Sequence, residues 1–188
     1  MCNLCKIQPV YEFTNKRTLC RTCFIRWFEK KVFYTIRKFN MIKREDKIFC
    51  EKHGNFRDSV LLDVMKIYCS KSGNLMITSK KNFNKIVCSN NLDLNSYKFI
   101  NILREKKDNS LKKLSPVVGE KIYPLYFFLD KEILIYAELK KLKYKKEIVK
   151  RSSLLSEKDS WINFLNDLEK KHPEIKNAIM NSYLKIIY

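Results

Sequence analysis

From Phe24 onward apolar residues recur at spacings of three and four, through Phe28, Val32, Ile36 and Phe39, which predicts an amphipathic helix with one face on a core. Arg26, Lys30 and Arg37 fall together on another side with Phe33 among them, a basic face suited either to RNA or simply to solvent. Within 46–51, Ile48, Phe49 and Cys50 form a short apolar run suited to a buried parallel strand. A helix should follow, starting near Asp58 and Ser59, with Val60, Leu61, Leu62, Val64, Met65 and Ile67 as a broad apolar surface. Beyond Gly73, residues 85–88 read as a second strand and 94–104 as a second helix. Strand, helix, strand, helix is the order of a parallel α/β sheet. Residues 105–121, polar and carrying Pro116 and Gly119, read as a loop. An extended segment over 122–129 is interrupted by Pro124, Asp130 caps a helix through Leu142, and 143–153 is a basic connector. Two helices close the chain: Ser156 and Asp159 match a capping box ahead of Trp161, Phe164, Leu165 and Leu168, and Pro173 suits a first turn.

Composition narrows the class. The 188 residues leave room for one sizeable core, or for one core and a small stapled module. A hydrophobic fraction of 45% excludes a disordered chain despite 31% charged residues. The net charge of +19 is spread along the whole chain and not confined to a tail. Such a field attracts polyanions by releasing their counterions, which puts nucleic acid first among partners, although a lysine-rich surface drifting with genome composition is the bland alternative. No stretch reaches the ~18 uncharged apolar residues of a membrane span, and the start of the chain lacks the apolar core of a secretion signal. A cytoplasmic protein is expected, and in that reducing setting seven cysteines point to metal binding or catalysis before disulfides.

Four of those cysteines have metal-ligand spacing. Cys2 and Cys5 form one C-x-x-C pair, Cys20 and Cys23 form another, and 14 residues separate them. Two intervening residues let a tight knuckle aim both thiolates at one ion, and four thiolates fill a tetrahedron. The expectation is a structural zinc ion, with iron, as in rubredoxin or as a cluster, the lesser alternative. Lys16, Arg17, Arg21, Arg26 and Lys30 flank or follow the knuckles and are the expected contacts to nucleic-acid phosphates.

The segment Cys20-Arg21-Thr22-Cys23-Phe24, continued by Phe28-Glu29-Lys30-Lys31-Val32 and Thr35-Ile36, resembles the start of the tRNA 2-thiolation family. Asn91-Leu92-Asp93 is similar to part of that family's GHNLDD segment; Pro124-Leu125, Lys131-Glu132-Ile133 and Tyr136-Ala137 resemble its KPL…EKEI…YA stretch; and Phe164 to Glu169 with Pro173 resembles its carboxy-terminal helix. The resemblance implies an α/β fold: a reduced, Rossmann-like PP-loop ATPase domain of the HUP type over 41–188, preceded by a four-cysteine zinc module and basic helix over 1–40.

The departures from the family bear on mechanism. Gly54-Asn55-Phe56-Arg57-Asp58-Ser59 stands where an active PP-loop reads SGGKDS. Arg57, Asp58 and Ser59 are a vestige of the cofactor site, but Asn55 and Phe56 replace both glycines, and a phenylalanine crowds the place of the phosphate, which argues against ATP binding. Cys69-Ser70-Lys71-Ser72-Gly73 matches the family's C-x-x-C-G with Ser72 in place of the second cysteine, so Cys69 is the one thiol left for catalysis if the protein is active. With a further family cysteine missing near 147–148, the resemblance argues against an iron–sulfur cluster. His53 and His172 read as surface residues, and no Walker A, H-E-x-x-H or G-x-S-x-G sequence occurs. The expected function is a tRNA-binding, noncatalytic subunit that pairs with a catalytic thiolation subunit, closest in character to the degenerate second subunit of the cytoplasmic complex. The alternatives are a reduced but active ATP-dependent thiolation subunit and a stand-alone zinc-dependent RNA-binding module.

Overall fold

A computed structural model describes residues 1–77, 82–106, 108–145 and 160–187. A small hairpin opens the chain, β1 (Tyr11–Glu12) pairing antiparallel with β2 (Thr18–Leu19), and leads into α1 (Arg21–Lys38). The body follows as β3 (Lys47–Cys50), α2 (Phe56–Ser72), β4 (Leu75–Ile77), β5 (Lys85–Val87) and α3 (Leu92–Arg104). A 3-10 helix (Asp108–Leu114), β6 (Val117–Val118), β7 (Lys121–Ile122), α4 (Asp130–Leu139), α5 (Ser160–Lys171) and α6 (Ile175–Ile187) complete it. The five-stranded sheet has the order β4-β3-β5-β7-β6, with all neighbours parallel except the antiparallel β6–β7 pair. This is a mixed α/β fold with a parallel sheet, as the strand and helix order led one to expect.

The expected helices are present with shifted ends. α2 starts at Phe56, two residues early, because Asn55 caps it by accepting the Asp58 N–H at 3.0 Å. α3 is likewise capped by Asn91, whose side chain accepts the Leu94 N–H at 3.3 Å. α4 stops at Leu139, short of Leu142; Lys141 takes a φ of +53°, and the Leu142 N–H turns back to the Ala137 carbonyl at 2.9 Å. Residues 105–121 are not simply a loop, since they hold the 3-10 helix and a hairpin turning at Gly119, where φ is +59°. Between Ile122 and α4 the chain runs in turns and not as an extended strand. Pro173 lies two positions ahead of α6. The expected capping box at Ser156 and Asp159, and most of the basic connector, lie outside the described residues.

One buried cluster runs from the amino terminus into the body. It joins Cys2, Leu19 and Cys20 to Phe24, Phe28 and Val32 of α1, and these to Ile48, Val60, Leu61, Ile122 and Tyr136. Phe28 is its hub, with ring centroids 4.3 Å from Tyr136, stacked, and 4.3 Å from Phe128, tilted. Such aromatic pairs add about 0.5–1.5 kcal/mol each beyond the area they bury. A second cluster, including Leu92, Leu114, Tyr126, Met180 and Tyr183, seats α6 against α3 and the 3-10 helix. Among the described residues, no helix is long and apolar enough to cross a membrane.

Candidate metal centre and basic face

The four cysteines of the two C-x-x-C pairs come together, with their sulfur atoms within 4.8 Å of one another. Two turns and the hairpin do the gathering. The Cys2 N–H donates to Ile7 O at 2.8 Å and the Lys6 N–H back to Cys2 O at 3.0 Å, closing the first knuckle with Lys6 at a φ of +64°. The Asn3 N–H donates to Thr18 O at 3.0 Å, and the Thr18 N–H returns to Asn3 Oδ1 at 2.6 Å, which fastens that knuckle to β2. Cys20 occupies the N-cap of α1 and Cys23 its first turn, so the positive end of the helix dipole faces the thiolates. Burial pushes the Cys2 thiol up, but backbone hydrogen bonds at Cys20, Leu4 and Cys5 outweigh it and bring the group down to about 6. Cys23 is pushed up to about 12, first by burial and then by its contacts with neighbouring thiols. Four thiolates this close repel one another, and a bound cation is what lets all four ionise together.

The five basic residues singled out beside the knuckles do not share one surface role. Lys16, at the hairpin turn, pairs with Glu12 at 3.5 Å, and the Arg17 guanidinium sits 4.5 Å over the Phe13 ring. Arg21 donates to the Leu139 carbonyl at 2.5 Å, tying the start of α1 to the end of α4. Arg26 and Lys30 stand four residues apart on α1, both exposed. Phe33 is half-buried against Tyr68, whereas Tyr34, which periodicity did not single out, is 57% exposed.

Arg57, Asp58 and Ser59 all turn to partners within the protein. Arg57 donates from Nε and Nη2 to the two carboxylate oxygens of Asp130, each at 2.5 Å. Burial works against the Arg57 charge, but the Asp130 carboxylate makes the guanidinium hold its proton more tightly than usual. Asp58 is buried and accepts the His53 N–H and the Ser89 hydroxyl, both at 2.6 Å, while Ser59 donates to the Lys143 carbonyl at 2.9 Å. Cys69 lies near the far end of α2, about 15–18 Å along the helix from Ser59 and Arg57 at 1.5 Å per residue, so the structure does not bring them together. Its thiol is 5% exposed and is pushed up to about 11 by burial, which disfavours the thiolate a nucleophile needs.

A charge network that sequence reasoning missed continues from Asp130. Asn91 Nδ2 donates to Asp130 Oδ1 at 2.8 Å, and the Asp130 N–H donates to Asp93 Oδ2 at 2.7 Å. From α6, buried Lys176 reaches Asp93 at 2.5 Å and Glu169 at 2.6 Å. The available signal was a lysine inside the apolar stripe of the last helix.

Neither family models nor curated proteins match this sequence. Among solved structures, the chain is similar to U34-tRNA thiolase NcsA from Methanococcus maripaludis, solved with its 4Fe-4S cluster; the likeness covers 98% of this chain and 86% of that one, with a TM-score of 0.79 and 18% identity. This neighbour corrects the cofactor expectation of zinc with no iron–sulfur cluster. Its fold accommodates such a cluster, and Cys2, Cys5, Cys20 and Cys23 are a four-thiolate donor set of the kind that clusters take, so the group points to iron–sulfur rather than zinc. The spacing misled because one set of four thiolates serves either metal centre. The chain thus shares the mixed α/β fold, along nearly its whole length, of an enzyme that thiolates tRNA.

Proposed function

We propose that this protein is a tRNA-binding, noncatalytic subunit supporting 2-thiolation of wobble uridine, working beside a catalytic thiolation subunit in the cytoplasm. The observation that carries this is the likeness to a U34-tRNA thiolase over 98% of the chain. Residues 41–188 are then a degenerate, Rossmann-like PP-loop body, and residues 1–40 a metal module presenting a basic helix. Two features support the noncatalytic part. The Arg57 guanidinium is held by Asp130 where the cradle would need it on a phosphate, and Cys69 is a buried, protonated thiol remote from that place. Cys2, Cys5, Cys20 and Cys23 would hold the iron–sulfur centre, which when bound supplies rigidity and a one-electron couple. Arg26 and Lys30 are the leading phosphate contacts, with Lys16, Arg17 and Arg21 around the knuckles extending the positive surface.

Mass spectrometry of thiolated wobble uridine tests this in strains lacking the protein or carrying single substitutions. Deletion should abolish the modification, whereas Cys69→Ser and Arg57→Ala should leave it nearly intact and Arg26→Glu with Lys30→Glu should lower it. Loss of the thiolated nucleoside in Cys69→Ser, with the protein folded and in its complex, would establish a catalytic subunit instead. Iron and acid-labile sulfide should co-purify anaerobically with the wild type and be lost in Cys20→Ser; protein free of iron overturns the cluster assignment.

A further inference from the structure

Along α1 the positions Arg26, Lys30, Tyr34 and Lys38 follow one another at intervals of four, so they form a single row on the helix surface. Three are cations and the fourth is an exposed aromatic. Lys38, the last of the row, also lines an open cleft of about 880 Å³ at the end of α1. The other lining residues are Phe39, Asn40, Asn181, Leu184 and Lys185, the last three from α6. The two lysines and two amides surround an apolar floor made by buried Leu184 and half-buried Phe39. Cations, amides and a small apolar patch are what a nucleotide asks for: charge for its phosphate, donors and acceptors for the base edge, and a face for the ring. A protein partner would instead want a broad apolar centre with charge kept to the rim, and three of the four positions in the row are cations.

We propose that the row along α1 and the cleft at its carboxy-terminal end form one track for an unpaired RNA segment, with Tyr34 as a stacking platform. Lys30, Lys38 and Lys185 take the phosphates, and Asn40 and Asn181 meet base edges. Bases in a duplex are stacked on one another and cannot offer a face to Tyr34, so the track selects unpaired RNA. This deepens the tRNA-binding reading and rests on it.

The probe is binding of the full-length protein to tRNA, to a short single-stranded oligoribonucleotide, and to duplex RNA of the same length. Single-stranded RNA should bind more tightly than duplex. Tyr34→Ala should weaken it about tenfold without changing the salt dependence, and Tyr34→Phe should restore it. Lys185→Glu should weaken binding and flatten the salt dependence, because phosphate contacts are lost. Tyr34 is exposed, so its variants should keep the wild-type melting temperature. If tRNA binds but duplex and single strand bind alike, or Tyr34→Ala binds as wild type, the track is overturned and the tRNA-binding reading stands. Failure of the wild type to bind any of the three overturns both.

Discussion

Cys50, Cys69 and Cys88 resemble the four knuckle cysteines in sequence and differ from them in their surroundings. All three are buried, and burial pushes their thiols up from 9.0 to about 12, 11 and 12; at Cys88 the nearby Glu51 carboxylate, which accepts the thiol proton at 3.2 Å, adds to the effect. A raised folded value means that the native state keeps a proton the unfolded chain gives up. Their contribution is therefore complete below the unfolded thiol value and declines as pH rises from 9.0 toward about 12. Urea unfolding between about pH 9 and about pH 11 should show stability falling by roughly 1 kcal/mol per thiol per pH unit, and replacing all three with alanine should flatten that slope. A wild-type slope unchanged in the triple variant would reject the assignment. Spacing alone separated the four gathered cysteines from these three, because a metal site needs paired knuckles and a buried thiol needs only an apolar neighbourhood. The ion at the four was not legible, since zinc and iron–sulfur draw on one ligand set.

Among the elements, the long periodic ones were legible and the short ones were not. The stripe of Phe24, Phe28, Val32 and Ile36 turns to the core as expected, because periodicity over five turns overrides local exceptions. β4 has three residues behind the left-handed Gly73 and went unseen, as did β6 with two, while of β7 only Ile122 fell within the expected extended segment, since pairing from other parts of the chain forms these strands. Lys176 shows a comparable non-local cause in α6. Its ammonium is enclosed by Asp93 and Glu169; burial works against its charge, but the two carboxylates, Asp93 foremost, make it hold its proton more firmly than usual. Lys176→Met should leave two carboxylates facing each other at a cost of about 3 kcal/mol. Hydrogen exchange should quicken in α5 and α6 more than in α1 and β3; equal protection in all four would show that the pair does not latch the last helices.

For the whole molecule, the metal module and the α/β body share one core, so the metal's influence should not stop at the knuckles. Trp27 reports on this junction, packed against Phe13 at 4.7 Å, Phe24 at 5.4 Å and Phe128 at 5.9 Å. In a Trp161→Phe background, metal removal or Cys20→Ser should shift Trp27 emission to the red and lower the unfolding midpoint of the entire protein, because the metal's binding free energy is folding free energy. An unchanged midpoint would mean that the module folds independently of the body.

That shared core also sets an order of events during synthesis. Tyr136 accepts the Phe28 ring, and its hydroxyl lies within hydrogen-bonding distance of Glu29, 107 positions earlier in the chain, and of Asp63. The cysteines leave the ribosome well before Phe128 and Tyr136, which follow only after most of the body has been made. At 5–20 residues per second the interval is on the order of 10 s, during which the knuckle thiols and the apolar side of α1 wait without their cover. The nascent chain is thus most vulnerable to oxidation and premature association while still tethered, and early metal capture by the four cysteines would protect it through that interval.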